Sequence, residues 1–296
     1  MMHTAQTATA PLGARSGFSD DRDSQDTRRL TYVLQQRFTY AYDAPVRNLD
    51  HRLIVVPPPR HGDQRRLKHS VTVSAPDART ATRRDAAGNL VTRARVALVP
   101  ELVEFVVRAE VERSGPGSEA LLPVSALTDP RMLRPTRLTT ADESIRRVAE
   151  ELSDQDYAAT ADRFCTYVHD TITYEFGVTS IFTTAAEALA GGRGVCQDSA
   201  HAMIALCRAA GHPARYVSGH LLGEGGTHAW VEVIVPDPAG ARAVAFDPCN
   251  GRRAGLDYLT IATGRDYTDV APTSGTYMGA AIGTLTASKQ VDVAAS

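Results

Sequence analysis

The sequence of 296 residues is poor in cysteine, carries little net charge, and has no uninterrupted apolar run of membrane-spanning length. Its four cysteines lack both the CxxC motif and zinc-site spacing, and a chain of this length does not depend on disulfides for stability. We therefore expect reduced thiols and a cytoplasmic protein. The formal net charge of −2 gives no electrostatic reason to expect a nucleic acid or a membrane as a partner.

Three histidines in the first quarter of the chain are metal ligands by residue type but not by spacing. His51, His61 and His69 fit no compact coordination site, and we expect them on solvent-facing strands or loops. No metal or cofactor is expected.

A reactive thiol is predicted at the start of the helix that follows Gly194. Strong helix formers fill residues 202–210, and Gly211 and Pro213 supply the stop, so Cys196 lies in the first helical turn. Unpaired backbone N–H groups and the positive end of the helix dipole favour an anion such as a thiolate there. Core packing is the alternative role for a cysteine in this position.

A histidine and an aspartate follow at the ends of two predicted strands. His228 opens the run 228–235, and Asp247 closes the run 241–247 after a turn that contains proline and glycine. If these strands are antiparallel neighbours, the start of the first lies beside the end of the second. A carboxylate that orients an imidazole, and an imidazole that takes a thiol proton, would complete a nucleophile–base–acid arrangement with Cys196.

Other histidines and cysteines are predicted to be structural. His201 lies more than a turn beyond Cys196 on the same helix, and no acidic residue is positioned to orient His220. Cys207 lies about three turns along the helix from Cys196, and Cys165 lies beside an apolar helical stripe, so packing is the better interpretation for both.

Four segments in this order resemble the transglutaminase-like superfamily of papain-like fold, and more closely its bacterial proteins with a β-rich N-terminal domain: Gly194–His201, Pro213–Gly219, His228–Val233 and Phe246–Gly251. The resemblance covers roughly residues 29 to 280. It departs at Ser199, where an aromatic residue is usual, at Cys249, where threonine is usual, and in the glycine-rich loop 223–227. Cys196, His228 and Asp247 match the catalytic residues of the family, so the departures bear on the substrate pocket.

The expected fold class is α+β. The resemblance implies a papain-like core in which the helix bearing Cys196 packs on an antiparallel sheet bearing His228 and Asp247. Short alternating runs between residues 30 and 111 predict a β-sandwich-like domain before that core. The predicted boundaries are a disordered tail over 1–28, a β-rich domain over 29–113, a linker over 114–138, a catalytic domain over 139–285 and a C-terminal tail over 286–296.

The resemblance and the residues together imply an enzyme that attacks an amide carbonyl through Cys196 and forms a thioester. The backbone N–H of Cys196 is a natural oxyanion donor, and Gln197 and Tyr174 are candidates for a second donor. Trp230 is a candidate pocket residue that could equally belong to the core.

Several functions share these residues. Peptidase or amidase hydrolysis is the first hypothesis, and protein cross-linking by amine transfer is the second. An acyltransferase or a peptide-processing partner of a ligase is a narrower possibility, and a non-catalytic peptide-binding scaffold is the alternative from another class. The expected partner is a peptide or protein amide, and the oligomeric state stays open.

Overall fold

The structure is a computed structural model that describes residues 29–115, 119–223 and 225–294. The tail predicted for residues 1–28 lies outside the described residues. Six α-helices are formed: α1 Pro130–Leu133, α2 Glu143–Leu152, α3 Tyr157–Thr171, α4 Ala185–Gly191, α5 Cys196–Ala209 and α6 Tyr267–Val270. Two short 3₁₀ turns lie at Val124–Thr128 and Arg137–Thr139.

The strands are β1 Arg29–Tyr42, β2 Val46–Val56, β3 Arg60–His61, β4 Gln64–Val73, β5 Arg79–Arg84, β6 Leu90–Val99, β7 Leu102–Ser114, β8 Ala120–Leu122, β9 Thr173–Tyr174, β10 Arg193–Gly194, β11 Ala214–Leu221, β12 His228–Asp237, β13 Gly240–Asp247, β14 Arg252–Arg253, β15 Tyr258–Gly264, β16 Thr273–Met278 and β17 Gly283–Val293. The α+β fold class is confirmed.

The chain divides into two compact units. The β unit contains the described residues of 1–117, 221–227 and 272–296, and the mixed unit contains those of 118–220 and 228–271. None of the described helices has both the length and the apolar character that crossing a membrane requires.

The β unit consists of two antiparallel sheets that share one core, in the strand orders β17-β1-β7-β4-β3 and β16-β2-β6-β5. Alternation of buried and exposed residues along β7 shows why the sequence predicts strands here, since every second side chain faces the core. Leu53, Val96 and Phe105 belong to that core and come from both sheets. The predicted sandwich is therefore formed, and two strands from the C-terminal part of the chain, β17 and β16, lie at the edges of its two sheets.

The predicted C-terminal tail is wrong for residues 286–293. These residues belong to β17, which pairs with β1 over eleven positions from Tyr32–Val293 to Tyr42–Gly283. The strand is half exposed and rich in polar residues, so it lacks an apolar signal of its own and depends on backbone hydrogen bonds to a strand far away in sequence. For the same reason residues 272–285, predicted to end the catalytic domain, lie in the β unit.

The linker predicted for 114–138 is also wrong over most of its length. Strand β8 pairs with β13 in the mixed unit, and the 3₁₀ turn that follows buries Ala126 against Ile234 and Ala241. Elements of three to five residues carry no periodic pattern, so only their packing partners determine them.

His51 is a further correction, because it is 2 % exposed rather than solvent-facing. Its ring stacks on Phe105 with a centroid distance of 4.6 Å and meets Tyr40 edge-on at 4.7 Å. Burial lowers the pKa of His51 to about 4, so this histidine is a neutral core residue. His69 is exposed, as predicted.

The mixed unit is built around α5, which is buried along nearly its whole length and contacts β12, α2, α3 and α4. A helix buried on all sides is typical of the centre of a domain. It packs against the sheet β14-β13-β12-β11-β15. Beyond its end Gly211 adopts a φ of +76°, and the N–H of His212 donates to the carbonyl of Cys207, which matches the predicted stop.

Arg208 anchors the C-terminal end of α5. Its guanidinium donates to the carbonyls of Met132, Ala214 and Arg265 and to the hydroxyl of Thr139. Burial lowers the pKa of Arg208 to about 10. These bonds fix the helix that presents Cys196 at its other end.

Candidate active site

Cys196 occupies the first position of α5 and is partly buried. Val195 precedes it in extended conformation, and the N–H of Val195 donates to Asp198 Oδ2 at 2.8 Å. The hydroxyl of Thr179 donates to the same oxygen at 2.6 Å. Asp198 thus closes the first turn and fixes the entry of the chain into the helix.

Asp198 is a residue that the sequence analysis missed as part of the site. Its side chain is buried, and burial raises the pKa of the carboxyl above its ordinary value although two hydrogen bonds act against this. A Cβ at residue 194 would lie 2.8 Å from Asp198 Oδ2, so the glycine there leaves the space that this carboxyl fills. The spacing of three residues from the cap to an acidic residue is the signal that could have identified it.

Tyr174 lies beside the strand that leads into Cys196. Strands β9 and β10 are parallel, with Tyr174 in register with Gly194. The N–H of Glu175 donates to the carbonyl of Gly194 at 2.8 Å. This candidate oxyanion donor is therefore fixed beside Gly194, which lies two residues before Cys196, and 61 % of the surface of Tyr174 is exposed.

His228 and Asp247 are brought together at one end of the β12–β13 hairpin, as the two strand patterns predict. The strands are antiparallel, and the turn between them lies at Asp237 and Gly240. His228 Nε2 and Asp247 Oδ2 are 2.7 Å apart, and both side chains are almost fully buried.

Besides its bond with His228, Asp247 accepts hydrogen bonds from several other groups. The hydroxyl of Tyr258 and the amide of Asn250 each donate to Oδ2 at 2.7 Å, and the backbone N–H groups of Cys249 and Asn250 donate to Oδ1. Burial alone would raise the pKa of Asp247. The hydrogen bond and charge of His228, together with the hydrogen bonds from Tyr258 and Asn250, hold this pKa below its ordinary value. The carboxylate is therefore ionised and fixed at both oxygens.

Tyr258 and Asn250 were also missed by the sequence analysis. Asn250 lies three residues after Asp247, within reach of a side chain that turns back, which is a usable local signal. Tyr258 lies on β15, and nothing in the local sequence pattern indicates its contact with Asp247.

Trp230 packs beside the pair and belongs to the core. It is 1 % exposed, and its ring lies 6.2 Å from that of His228 and 5.3 Å from that of Tyr258, between centroids. A Cβ at Gly219 would overlap this ring and the carbonyl oxygen of Leu259. The glycine on β11 thus makes room for the tryptophan, which supports one face of the imidazole.

Helix α5, which begins with Cys196, packs on β12 of the same sheet. Tyr216 on the neighbouring strand β11 is buried, and burial raises its pKa well above its ordinary value. Tyr216 lies opposite Val231 of β12 in the ladder.

The competing side chains are occupied elsewhere. His201 Nε2 accepts the backbone N–H of Tyr267 at 3.2 Å, and burial lowers the pKa of His201 to about 4. Burial raises the pKa of both Cys165 and Cys207 to about 12, so these thiols stay protonated. Gln197 is buried beside Cys196.

No cluster of three or more histidine, cysteine, aspartate or glutamate side chains suited to a metal ion occurs within residues 29–115, 119–223 and 225–294.

Two family profiles match the chain. The profile of the transglutaminase-like superfamily matches residues 146–248, and that of the bacterial transglutaminase-like N-terminal region matches residues 32–112. The chain is a transglutaminase-like protein with the bacterial N-terminal region. Cys196, His228 and Asp247 all lie within the matched transglutaminase-like core.

Relatives of this transglutaminase-like protein occur in mycobacteria. An uncharacterized protein of Mycobacterium leprae is 32% identical over 162 residues, which span 50% of this chain and 55% of that protein. An uncharacterized protein of Mycobacterium tuberculosis is 29% identical over 240 residues, or 72% of this chain and 76% of that one. The chain thus spans about half of the first relative and three quarters of the second.

A solved structure has the same fold. It is a candidate cysteine protease from Cytophaga hutchinsonii, with a TM-score of 0.73 and 21% identity, and the match covers 91% of this chain and 92% of that one. The papain-like fold of this transglutaminase-like protein is therefore confirmed.

Replacing Asp247 by asparagine tests the role of the buried carboxylate. The amide still accepts hydrogen bonds through its oxygen but cannot balance a charged imidazole, so we expect a loss of kcat of about 10²- to 10³-fold with KM little changed. Asp257→Asn, which removes a partly buried carboxylate paired with Arg252, is the matched control and should retain activity. Equal activity of both variants would contradict the role given to Asp247.

The same substitution has a consequence for stability. Because the folded-state pKa of Asp247 is lowered, its carboxylate stabilises the fold above the unfolded-state pKa, and this stabilisation disappears as the pH falls through the lowered value. Asp247→Asn should therefore show a weaker loss of stability on acidification than the unmodified protein, measured by urea unfolding across the acidic range.

Proposed function

We propose that the protein is a cysteine-dependent enzyme that cleaves amide bonds in peptides or proteins through Cys196, His228 and Asp247. The observation that carries this proposal is the buried His228–Asp247 pair on the sheet against which the helix of Cys196 packs. Hydrolysis takes precedence over amine transfer because a solved structure of the same fold is described as a candidate cysteine protease.

In the acylation step, His228 takes the proton of Cys196 and the sulfur attacks the amide carbonyl carbon. Because His228 Nε2 faces Asp247, the proton passes to Nδ1 of the ring. The tetrahedral intermediate collapses when the C–N bond breaks, and the imidazolium gives its proton to the leaving amine. A thioester on Cys196 remains.

In the second step the thioester is released. Water attacks the carbonyl carbon and gives a proton to His228, the C–S bond breaks, and the proton returns to the sulfur as the acid leaves. An amine in place of water would give a new amide by the same proton transfers. The same three residues catalyse hydrolysis and amine transfer, so the outcome depends on whether water or an amine reaches the thioester.

The developing oxyanion needs hydrogen-bond donors at the start of α5. The backbone N–H of Cys196 has no carbonyl partner within the helix, because the first N–H groups of a helix lack one. Among the three side chains considered from the sequence, Gln197 and Trp230 are buried, whereas Tyr174 is exposed beside Gly194. We therefore propose Tyr174 as the second donor.

We propose the cytoplasm as the place of action, because the spacing of the four cysteines in the sequence indicates reduced thiols. Fractionation of cells that produce the full-length protein tests this proposal, and recovery in a secreted fraction would contradict it.

The decisive experiment compares water with an amine as the acceptor. Purified protein is incubated with a mixture of peptides, with and without an excess of a fluorescent primary amine, and products are identified by mass spectrometry. We expect cleaved or deamidated peptides in both reactions and little incorporated amine. Predominant incorporation of the amine would show that the enzyme catalyses transfer rather than hydrolysis. If the unmodified protein gave the same products as Cys196→Ala, the enzymatic proposal would be overturned.

A further inference from the structure

The segment before α4 exposes four large apolar side chains within nine residues. Tyr174, Phe176, Val178 and Phe182, here called the apolar strip, are 61, 57, 39 and 59 % exposed. Single exposed apolar residues are ordinary on protein surfaces, but a contiguous group of them marks a contact surface.

The segment that carries the apolar strip is joined to the entry of the nucleophile helix by hydrogen bonds at its start and near its middle. The N–H of Thr173 donates to the carbonyl of Gly192, and that of Glu175 to the carbonyl of Gly194. Farther along, the hydroxyl of Thr179 donates to Asp198, which also holds the N–H of Val195. The segment that carries the strip is therefore fixed against the residues that lead into Cys196.

Phe182 is held in its exposed position before any ligand binds. Arg137 donates to the carbonyl of Phe182 at 3.1 Å, and its guanidinium lies over the phenyl ring, 5.7 Å from the centroid. The N–H of Phe182 donates to the hydroxyl of Ser180, and Ser180 and Thr183 exchange two further hydrogen bonds. An exposed aromatic ring on a fixed backbone loses little entropy on binding.

A cavity of about 440 Å³ opens beside the strip, within the range of about 300–1,000 Å³ typical of small-ligand sites. Its lining includes Val178, Thr179, Phe182, Glu187 and Arg193.

The charged groups of this lining already have partners. Glu187 accepts the N–H and hydroxyl of Thr184, and Arg193 is paired with Glu175 at 3.2 Å. The rest of the lining combines the apolar side chains of Val178 and Phe182 with hydroxyl groups such as that of Thr179, so the apolar contact surface is that of the strip rather than that of the cavity.

We propose that the apolar strip binds a bulky apolar side chain, aromatic or large aliphatic, of the peptide substrate next to the reactive amide. This specificity site rests on the proposed function, because the substrate is the peptide that Cys196 attacks. It determines which amides are presented to the thiol and takes no part in proton transfer.

The test compares two peptides that differ only in the residue adjacent to the reactive amide, phenylalanine in one and serine in the other. Phe176→Ser and Phe182→Ser should each lower kcat/KM for the phenylalanine peptide by about 10- to 100-fold, mainly through KM, and leave the serine peptide unchanged. Leu121→Ser is the matched control, because Leu121 is 65 % exposed on β8 of the same unit.

A binding measurement separates this inference from the proposed function. The affinity of the phenylalanine peptide for Cys196→Ala, with and without Phe182→Ser, is measured by calorimetry and needs no catalysis. Weaker binding of the double variant supports the site even if no turnover is found. Equal binding, or an equal loss of kcat/KM for both peptides, would overturn it.

Discussion

Replacing Cys196 by alanine removes the nucleophile and should reduce amide turnover to background, a loss of about 10⁵-fold or more. The fold should be retained, because the cap of α5 is formed by backbone groups of Val195 and by Asp198 rather than by the thiol. The measurement is the initial rate of peptide hydrolysis, with circular dichroism and thermal unfolding as checks of folding.

Cys249→Ala is the matched control for Cys196→Ala. Cys249 is also partly buried, and the bond it makes to Asp247 Oδ1 comes from its backbone N–H, which alanine keeps. We expect this variant to retain most activity. Peptide hydrolysis by Cys196→Ala would contradict the mechanism. Loss of hydrolysis in both variants would indicate that the loop after Asp247 is disrupted.

Replacing His228 by alanine should lower kcat by about 10³- to 10⁴-fold, because the variant lacks the imidazole that is proposed to take the proton of Cys196. His201 is engaged with the N–H of Tyr267. The variant also leaves Asp247 buried without its histidine partner, so the pKa of this carboxyl should rise and thermal stability should fall.

Alkylation of Cys196 by iodoacetamide reports on the same pair without a substrate. In the unmodified protein Cys196 should label faster than the other three cysteines, and in His228→Ala the labelling should slow, as peptide mass spectrometry can measure site by site. His212→Ala is the matched control, since His212 is a buried histidine that stacks on Tyr157 instead. If Cys196 labelled no faster than buried Cys207, a thiolate held by His228 would be excluded.

The sequence predicts the elements of the site better than it predicts the hydrogen bonds between them. The helix that starts at Cys196, the strand that starts at His228 and the strand that ends at Asp247 follow from local patterns, and the structure forms each of them. The hydrogen bond to Asp247 from Asn250 joins residues three positions apart and has a local signal, whereas the bond from Tyr258 depends on β15, and no local pattern predicts it.

The sequence by itself determined the elements that carry chemistry. Strong helix formers and a glycine stop predict α5, and short apolar runs bounded by turn residues predict β12 and β13, because these patterns are properties of one segment of the chain. Only the tertiary structure decided the rest. Strand β17 completes the β unit, β8 joins β13, and Asp198 links Thr179 to the cap of α5, since each depends on a partner distant in sequence. Contacts between residues distant in sequence depend on how the folded chain brings those residues together, and the residue pattern of a single segment does not contain that information.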